Sequence, residues 1–332
     1  MKRVYVIIVN WNGWRDTIEC LESLLLLNFP SYRLVLCDNG STDDSLAQIR
    51  HWAELRQIGY AEYDCSEAAK GGRAGADPAL VLIRTGANLG FAGGNNAGLR
   101  YGLARGDLSH AWLINNDTVA DPEALGFLVQ RLEAKPGAGM CGSTVRLYHQ
   151  RERVQALGGG RYCHWIGLPW HYGRFTQGFA TPDPRRAEAW MNYVEGASLL
   201  VSRQFLAEIG LMCEDYFLYF EEADWAIRAR GRFTLAYAPQ SLVYHKVGAS
   251  IGTSSNPAKK SYLCDYFNIR NRILFTRRFY PASLPSVYLV LLGALLMRLV
   301  LGKLDRALMI VKLLFGRSDC QAEMVLAPRA VP

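Results

Sequence analysis

Apolar and polar positions alternate along the first 150 residues in two different rhythms. Short runs rich in β-branched residues, such as RVYVIIV at 3–9, are typical of strands buried on both faces of a sheet. Between these runs, apolar residues return every three or four positions, which is the spacing of amphipathic helices. The predicted strands span 3–9, 33–38, 79–84 and 110–114, and the predicted helices span 14–27, 43–55 and 122–134. This order predicts an α/β fold with a mostly parallel sheet and helices on both of its faces.

Helix starts and polar clusters follow the predicted strands. Ser41 or Thr42 is predicted to cap the second helix, and Asp121 is predicted to cap the helix that begins at Pro122. Three polar clusters, at 10–12, 38–42 and 115–117, come directly after strands. Ligands of open α/β sheets bind beyond the carboxyl ends of the strands, so these clusters predict a binding site there. Each cluster taken alone is also compatible with an ordinary capped turn.

The rest of the chain follows other patterns. Residues 59–78 are rich in glycine and alanine and are predicted to form a surface loop, and the rhythm becomes irregular from 140 to 250. Residues 279–297 carry no charge and follow the basic stretch 268–279. Three interpretations are open: a helix that lies in a membrane interface, which the neighbouring basic residues favour, a spanning helix, or a buried helical hairpin.

Composition narrows the class of protein. The chain has 332 residues, 50% hydrophobic residues and a net charge of +7, which predicts a packed core and an anionic partner. The basic residues are concentrated late in the sequence and do not form the pattern of a nucleic-acid-binding groove. The anionic partner is therefore expected to be a phosphate group or a membrane surface, and no nucleic acid is expected. The eight cysteines contain no C-x-x-C pair, which argues against a zinc site or a disulfide framework. The short apolar run at the N-terminus predicts a first strand and not a secretory signal.

Two glycine-containing motifs point to a nucleotide. LCDNGSTDDS places Asp38 at the end of a strand, where a carboxylate can accept hydrogen bonds from a base or a ribose. NLGFAGGNNAGL, at 88–99, offers glycines ahead of a helix, where the backbone can approach a diphosphate. It matches neither the P-loop nor the dinucleotide fingerprint, so it predicts a nucleotide without kinase or nicotinamide chemistry.

Two further motifs suggest a cation and a general base. Asp117 follows a strand in LINNDT and is placed to bind a hard cation, and His245 ends an apolar run and is either a second ligand or a structural histidine. Manganese accepts imidazole more readily than magnesium. In FLYFEEADWAIRA, the adjacent Glu221 and Glu222 lie among aromatic residues, which predicts raised carboxyl pKa values suited to a base. The alternative is an acidic first turn of a helix, and the two interpretations are compatible.

Taken together, these residues resemble the family 2 glycosyltransferases, and within them the bacterial rhamnosyltransferase-like branch. The resemblance covers about residues 3 to 280 and includes seven motifs in order: VIIVNWNG, LCDNGSTDDS, NLGFAGGNNAG, LINNDT, VEGASLLVSR, FLYFEEADWAIRA and VYHKVGAS. It implies a GT-A fold, a nucleotide-diphosphate sugar donor, a divalent cation (Mn²⁺ or Mg²⁺) and transfer with inversion.

The resemblance also implies roles for individual residues. Asp117 and His245 match the cation ligands, Glu222 matches the general base, and Glu221 and Asp224 would shape its surroundings. The residues implied at the nucleotide are Asn10, Asp38, Asn88, Gly90 and Asn116, and those implied at the acceptor are Glu195 and Trp225, the latter stacking on a sugar face. The sequence departs from the usual pattern at Asn115, where many relatives have an aspartate, and at Glu222, where aspartate is commoner.

The expected organisation is a GT-A domain over 1–250 and a membrane-associating helical region over 251–332. Within the domain, 1–135 is the nucleotide-sugar half and 136–250 the acceptor half. The implied donor is dTDP-rhamnose or a UDP-sugar, and the implied acceptor is a cell-envelope saccharide or a polyprenyl-diphosphate-linked glycan at the inner membrane face. Alternative functions are a nucleotidyltransferase, for which NWNGWRD is a poor glycine loop, and a silent glycan-binding scaffold.

Overall fold

The computed structural model describes residues 2–174, 176–178, 182–247 and 261–317. The strands are β1 (Arg3–Asn10), β2 (Tyr32–Asp38), β3 (Tyr60–Asp64), β4 (Leu80–Arg84), β5 (Leu108–Asn115), β6 (Thr118–Ala120), β7 (Ala138–Leu147), β8 (Gln150–Leu157), β9 (Gly159–Cys163), β10 (Leu168–His171), β11 (Tyr193–Val194), β12 (Ser198–Ser202) and β13 (Thr234–His245). The helices are α1 (Trp14–Leu25), α2 (Ser45–Leu55), α3 (Cys65–Ala68), α4 (Gly90–Arg105), α5 (Ala124–Ala134), α6 (Pro184–Trp190), α7 (Arg203–Ile209), α8 (Glu221–Arg228), α9 (Tyr262–Phe279), α10 (Leu284–Val300) and α11 (Leu304–Leu314).

The strands form one sheet in the order β10-β9-β8-β7-β12-β5-β1-β2-β4-β3, with β11 beside β9 and β13 beside β6 and β7. From β3 to β5 every neighbouring pair is parallel. Beyond β5 the path is antiparallel through β12, β7, β8, β9 and β10, and β13 lies parallel to β7. The predicted α/β fold is confirmed, and the five neighbouring parallel strands β3, β4, β2, β1 and β5 all come from the first half of the chain.

Apolar layers pack on both faces of the sheet, and the side chains of β1 alternate between these two layers. Val4, Val6 and Ile8 pack with α1, α2 and α5 on one face, whereas Tyr5 and Ile7 pack with α4, α7 and α8 on the other. All five side chains are buried. This explains why the strand reads as a continuous apolar run and not as an alternating one.

The prediction of a surface loop over 59–78 is wrong in part. Residues 60–64 form β3, which pairs in parallel with β4, and α3 follows directly. Asp64 caps α3 by accepting a hydrogen bond from the Glu67 backbone N–H. Because β3 is an edge strand of which Tyr63 alone is buried, its apolar pattern is too weak to stand out in the sequence.

The glycine-rich stretch is not a loop ahead of a helix, because α4 already begins at Gly90. A Cβ atom on Gly94 would lie 2.7 Å from the Val9 Cγ1 atom, and one on Gly98 would lie 2.6 Å from the Ile7 Cγ2 atom. These two glycines therefore let the helix pack closely on β1. Gly90 has a φ of +72°, and its missing side chain leaves room for the Phe217 backbone.

Two predicted helix starts need correction. The second helix begins at Ser45 with Asp44 before it, because the Ser41 side chain is bound to Asp38 and Asn10 instead. The helix predicted from Pro122 begins at Ala124, and the Asp121 carboxylate accepts a hydrogen bond from the backbone N–H of Glu123, the residue directly before the helix.

The C-terminal helices form a third layer. Val287 and Leu291 on α10 pack against α9 and α11, and the buried Arg298 on α10 donates to Asp265 on α9 at 2.7 Å. Within the described residues, Pro281–Val300 is one helical stretch long and apolar enough to cross a membrane, judged by length and composition alone. Only 22% of its most apolar part is buried, so the interpretation as a buried hairpin is wrong.

The opposite side of α10 and α11 forms an apolar face, whose exposed residues are Leu289, Leu292, Leu296, Met297, Leu299, Val300, Leu304 and Leu308. Large exposed apolar surfaces in general occur where proteins contact membranes or other proteins. Residues 251–260 and 318–332 of the predicted C-terminal region lie outside the described residues.

Candidate active site

The carboxyl ends of β1 and β2 hold a buried polar pair. The parallel register places Asn10 opposite Asp38. The Asn10 amide donates to the Asp38 Oδ1 atom at 2.9 Å, and the Ser41 hydroxyl donates to the same oxygen at 2.6 Å. The Ser41 backbone N–H donates to the Asp38 Oδ2 atom at 3.2 Å. The carboxylate is therefore held in one orientation at the edge of the sheet where ligands bind.

A second amide cluster joins β2 to the start of α4. Asn39 is buried and donates to the Asn88 side-chain oxygen and to the Gly90 carbonyl, both at 3.0 Å. Its own oxygen accepts from the Leu89 backbone N–H at 3.0 Å. Asn88, predicted at the nucleotide, is thus fixed by Asn39, whose importance the sequence alone did not reveal.

The cluster after β5 is split between two partners. Asn116 donates to the Thr17 hydroxyl at 3.0 Å, and Thr17 donates to the Asn10 side-chain oxygen at 2.8 Å. Asn116 is therefore tied to the Asn10 and Asp38 pair through a residue of α1. Asn115 instead points toward His245, with its Nδ2 atom 3.4 Å from the His245 Nε2 atom.

Asp117 and His245 lie side by side because β6 pairs with the end of β13. The Asp117 Oδ1 atom is 3.1 Å from the His245 Nε2 atom, and both side chains are buried. Burial alone would raise the pKa of Asp117, but the charges of His245 and Lys246 outweigh it, and the pKa is lowered. Burial alone would lower the pKa of His245, but Asp117 outweighs it, and the pKa is raised.

Gln155 on β8 sets the orientation of the imidazole. The Gln155 Nε2 atom donates to the Glu195 carboxylate at 3.3 Å, and the Gln155 Oε1 atom lies 2.9 Å from the His245 Nδ1 atom. Because an ionised carboxylate only accepts, the amide oxygen must face His245, and Nδ1 must donate to it. In the neutral imidazole the lone pair then lies on Nε2, the nitrogen beside Asp117.

Asp117 and His245 fit a divalent cation whose other ligands come from a substrate. Within the described residues, no group of three or more His, Cys, Asp or Glu side chains is arranged to hold a metal. One carboxylate and one imidazole are few ligands for a cage made of protein alone. They suit Mg²⁺ or Mn²⁺, which commonly fill their coordination shells with phosphate oxygens and water.

Glu222 faces the same region from the first turn of α8. Its carboxylate lies against Gly196, where any side chain would overlap it, and Gly196 follows Glu195. Burial, together with the negative charge of Glu195, raises the pKa of Glu222 to about 7. This confirms the direction predicted from the adjacent acids, and a carboxylate with such a pKa is suited to accept a proton near neutral pH.

Glu221 is the more deeply buried of the two acids. It is 1% exposed, and its carboxyl oxygens have no hydrogen-bond partner within the part of the chain that the structure describes. Burial raises the pKa of Glu221 well above its ordinary value, and the neighbouring Glu222 and Asp224 raise it further.

The loop before α8 has a left-handed backbone at three residues that are not glycine. Phe217, Tyr219 and Phe220 have φ values of 65°, 72° and 80°. Such conformations are strained for bulky residues and persist only where the surroundings enforce them. Asn271 on α9 does so, because its amide donates to the carbonyls of Tyr216 and Leu218 at 2.7 and 2.8 Å.

Two residues predicted beside the base are placed differently. The Trp225 ring is 0% exposed, packs against Phe205 and donates to the Gly210 carbonyl at 2.9 Å, so the prediction that it stacks on a sugar is wrong. Asp224 is buried away from solvent and accepts hydrogen bonds from Arg228 and from the Tyr216 hydroxyl. It influences the acids through its charge and holds α8 to its neighbours.

The structure brings the remaining predicted residues to one edge of the sheet, in two connected groups. Asn10, Asp38 and Asn116 form the first group, and Asn39 holds Asn88 and Gly90 beside it. The second group consists of Asp117, His245, Glu195, Glu221 and Glu222. The Glu195 carboxylate also lies beside His171, whose Nε2 atom is 3.0 Å from the Glu195 Oε2 atom. Gln155 and His171 were missed because both lie in the stretch without regular periodicity, where no motif marks them.

Comparison with known proteins identifies the family of the chain. A sequence model described as "Glycosyl transferase family 2" matches residues 5–183, which is more than half of the chain. The low-salt glycan biosynthesis hexosyltransferase Agl10 of Haloferax volcanii is 22% identical over 234 residues. That alignment covers 68% of this chain and 61% of Agl10, so the chain spans less than two thirds of its relative's length.

A solved structure shares the fold. The mannosyltransferase PcManGT from Pyrobaculum calidifontis, determined in complex with GDP-Man and Mn²⁺, is similar with a TM-score of 0.52 and 16% identity. The similarity covers 94% of this chain and 85% of the mannosyltransferase. At this identity the likeness establishes a common architecture.

Proposed function

The chain belongs to glycosyl transferase family 2, and on that premise we propose that it is an inverting glycosyltransferase of the GT-A type. It moves a sugar from a nucleotide-diphosphate donor to a saccharide acceptor. The observation that carries the proposal is the connected site in which Gln155 joins the Asp117 and His245 pair to Glu195, beside Glu222. A place for a diphosphate and a base for an acceptor hydroxyl thus lie on one edge of the sheet.

In the proposed reaction, the Glu222 carboxylate accepts the proton of an acceptor hydroxyl. The hydroxyl oxygen forms a bond to the anomeric carbon of the donor sugar from the face opposite the diphosphate. The bond between that carbon and the diphosphate oxygen breaks, and the nucleoside diphosphate leaves with the electron pair. The configuration at the anomeric carbon is inverted because there is a single displacement.

The negative charge on the leaving diphosphate must be stabilised. Asp117 and His245 would hold a divalent cation, Mn²⁺ or Mg²⁺, which when bound supplies positive charge to the diphosphate oxygens. The Mn²⁺ in the complex of the mannosyltransferase with the same fold supports this assignment. Asn10, Asp38, Asn88, Gly90 and Asn116 would position the nucleoside, with Asp38 accepting from the base or the ribose.

We propose L-rhamnose as the sugar and dTDP-rhamnose as the donor, on the basis of the resemblance to the rhamnosyltransferase-like branch. The proposed acceptor is a cell-envelope or lipid-linked saccharide, and Glu195 would accept hydrogen bonds from it. The exposed apolar face of α10 and α11 supports a peripheral position on the inner face of the cell membrane. In this proposal, 1–250 is the catalytic domain and 251–332 the membrane-associating region.

The proposal is tested by thermal shift and by transfer assays on the full chain. dTDP-rhamnose, UDP-glucose and GDP-mannose are each added with Mn²⁺, with Mg²⁺ or with EDTA. We expect dTDP-rhamnose with a cation to raise the melting temperature most and to be turned over. If a UDP-sugar does so instead, the donor assignment is wrong, and if no nucleotide sugar binds with either cation, the transferase proposal fails.

A further inference from the structure

The N-terminus of α4 is bound by other parts of the protein. A helix leaves the N–H groups of its first turn without partners inside the helix. The backbone N–H groups of residues 89 and 90 donate to the side-chain oxygens of Asn39 and Asn88, both at 3.0 Å. The N–H of Phe91 donates to the backbone carbonyl of Phe217 at 2.7 Å. A helix start can bind a phosphate group, but here these N–H groups hold the loop before α8 and the residues that follow β2 and β4.

Gly90 allows the contact with the loop because it has no side chain. It has a φ of +72°, which favours glycine, and a Cβ atom at this position would overlap the Phe217 carbonyl oxygen. The same Cβ atom would lie 2.7 Å from the Phe217 Cα atom. Because both are backbone atoms, no change of a side-chain rotamer can make room, and the loop would have to move. The Gly90 carbonyl in turn accepts from the Asn39 amide at 3.0 Å, so this residue connects the nucleotide side of the site with the loop.

The loop before α8 is short, so a displacement at Phe217 reaches the proposed base. The loop spans residues 217–220, and Glu222 is the second residue of α8. On its other side the loop is held by α9, through the Asn271 amide and through the Phe267 ring, which stacks on the Phe217 ring with centroids 4.8 Å apart. A displacement of a reacting group by about 1 Å can lower a rate by about 100-fold.

We propose that Gly90 is a positioning residue for the transfer reaction. Its contact with Phe217 fixes the loop before α8 and thereby places Glu222 relative to the nucleotide site at Asn88. The inference rests on the proposed function, in which Glu222 is the general base. It adds to that function the contact that aligns the base with the donor.

The test compares Gly90→Ala with Gly106→Ala. Gly106 ends the same helix with a φ of +78° and has open space at the Cβ position, so its substitution adds similar backbone strain without a clash. Transfer from dTDP-rhamnose to a farnesyl-diphosphate-linked saccharide gives kcat, and calorimetry gives the affinity for the donor. We expect Gly90→Ala to lower kcat by about 10- to 100-fold and to leave donor affinity unchanged, and the control to change neither. A loss of donor affinity with kcat unchanged would overturn the proposal, because Gly90 would then serve the nucleotide alone.

The double variant that combines Gly90→Ala with Glu222→Gln shows whether Gly90 acts through the base. If it does, removal of the base carboxylate removes what Gly90 positions, and the double variant should be as slow as Glu222→Gln alone. A structural defect unrelated to Glu222 would lower the rate by the same factor in both backgrounds, and that result would overturn the proposal. Gly106→Ala in the Glu222→Gln background is the control.

A measurement that does not need turnover separates the inference from the proposed function. Hydrogen exchange of the full chain is followed in the peptides that contain Phe91 and residues 217–224. We expect exchange there to be at least about tenfold faster in Gly90→Ala than in Gly106→Ala, because loss of the contact opens the loop. Equal exchange in the two variants would overturn the inference. If the unaltered chain transfers no sugar while the exchange differs as expected, the proposed function fails and Gly90 still holds the loop.

Melting temperatures identify a variant that fails to fold. If Gly90→Ala is one, Phe267→Leu provides a second test, because it loosens the Phe217 ring from α9 and leaves α4 unchanged. We expect it to lower kcat by about threefold, which is the size of the contribution of an aromatic pair, with donor affinity unchanged. A kcat equal to that of the unaltered chain would mean that the position of Phe217 does not govern Glu222, and the proposal would be overturned.

Discussion

The two halves of the site treat their polar side chains in opposite ways. In the first half, the Asn10 side chain binds Thr17 and Asp38 at hydrogen-bond distance, and the Asn39 side chain binds Asn88. In the second half, burial and nearby negative charge raise the pKa values of the adjacent Glu221 and Glu222. The backbone that leads to them has three non-glycine residues with positive φ values, whereas residues 10–12 and 38–42 of the first half include one, Asn12, with a φ of 51°.

This difference has a physical meaning. A cradle that must hold one nucleotide in one orientation benefits from side chains that are already satisfied and rigid. A general base must instead have a pKa high enough for its anion to accept a proton, and burial and nearby negative charge raise that pKa. The strained backbone and the buried acids of the second half cost stability. The packing around them offsets this cost, in particular the contacts of Asn271 and the core beneath α8.

The largest expected effect is that of Glu222→Gln in the second half of the site. We expect kcat to fall by roughly 10² to 10⁴, the usual contribution of a general base, while nucleotide-sugar binding stays within about twofold. Transfer is measured by product formation and donor binding by calorimetry. Glu208→Gln, an exposed helical position, serves as the control. Turnover close to that of the unaltered chain would remove Glu222 from the base role.

Folding of this variant is checked by its melting temperature at pH 8. Folding raises the pKa of Glu222 from its ordinary value of 4.5 to about 7, so ionisation of the group costs stability as the pH rises above 4.5. A neutral glutamine avoids that cost. We therefore expect Glu222→Gln to be at least as stable as the unaltered chain at pH 8.

The next largest effect is expected at the proposed cation site. Asp117→Asn removes its carboxylate charge, and we expect donor affinity in the presence of Mn²⁺ to fall by at least the roughly 10- to 100-fold that an outer partner contributes to a metal site. Affinity without a cation should change little. Calorimetric titrations with Mn²⁺ and with EDTA measure both values, and Asp44→Asn, on the exposed surface, is the control. An equal affinity with Mn²⁺ for both variants would argue against the site.

Gln155 lies within the second half of the site, where it joins His245 to Glu195, and Gln155→Leu should separate these two residues. Loss of the acceptor for the His245 Nδ1–H leaves the imidazole free to turn, so we expect the Mn²⁺ concentration that gives half-maximal activity to rise by about tenfold. At saturating Mn²⁺ most of kcat should return, which a general loss of structure would not allow. Gln155→Glu keeps the acceptor, and we expect it to need less Mn²⁺ than the leucine variant. If the two variants behave alike, Gln155 does not act through His245.

The smallest expected effect is a shift in pH dependence. Glu222 acts as a base only when ionised, so activity should fall as the pH drops below about 7. In Glu195→Gln the neighbouring negative charge is gone, the pKa of Glu222 falls, and the acid side of the profile should move to lower pH by less than about one unit. Profiles of kcat/KM between pH 5 and 9 measure this, and an unmoved profile would mean that another group titrates.

Several features of the fold followed from pattern alone. The strand β1 and the helix α1 were predictable because their apolar spacing repeats with a clear period, and Asp38, Asp117 and His245 were predictable as residues that end apolar runs. By contrast, β3 was taken for a loop because an edge strand needs only one buried face. Trp225 was assigned to a sugar because a sequence does not show which side of a short helix faces the core.

The sequence by itself determined most elements of the first 135 residues, the family and the motifs at the carboxyl ends of the strands, because these depend on local periodicity and on residue types. Only the tertiary structure decided that Gln155 joins His245 to Glu195, since the amide comes from a strand 90 residues away in the chain from the histidine it orients. It also decided that Glu222 lies against Gly196 and that Trp225 is core. Such contacts depend on how distant segments pack in space, and no local pattern encodes that packing.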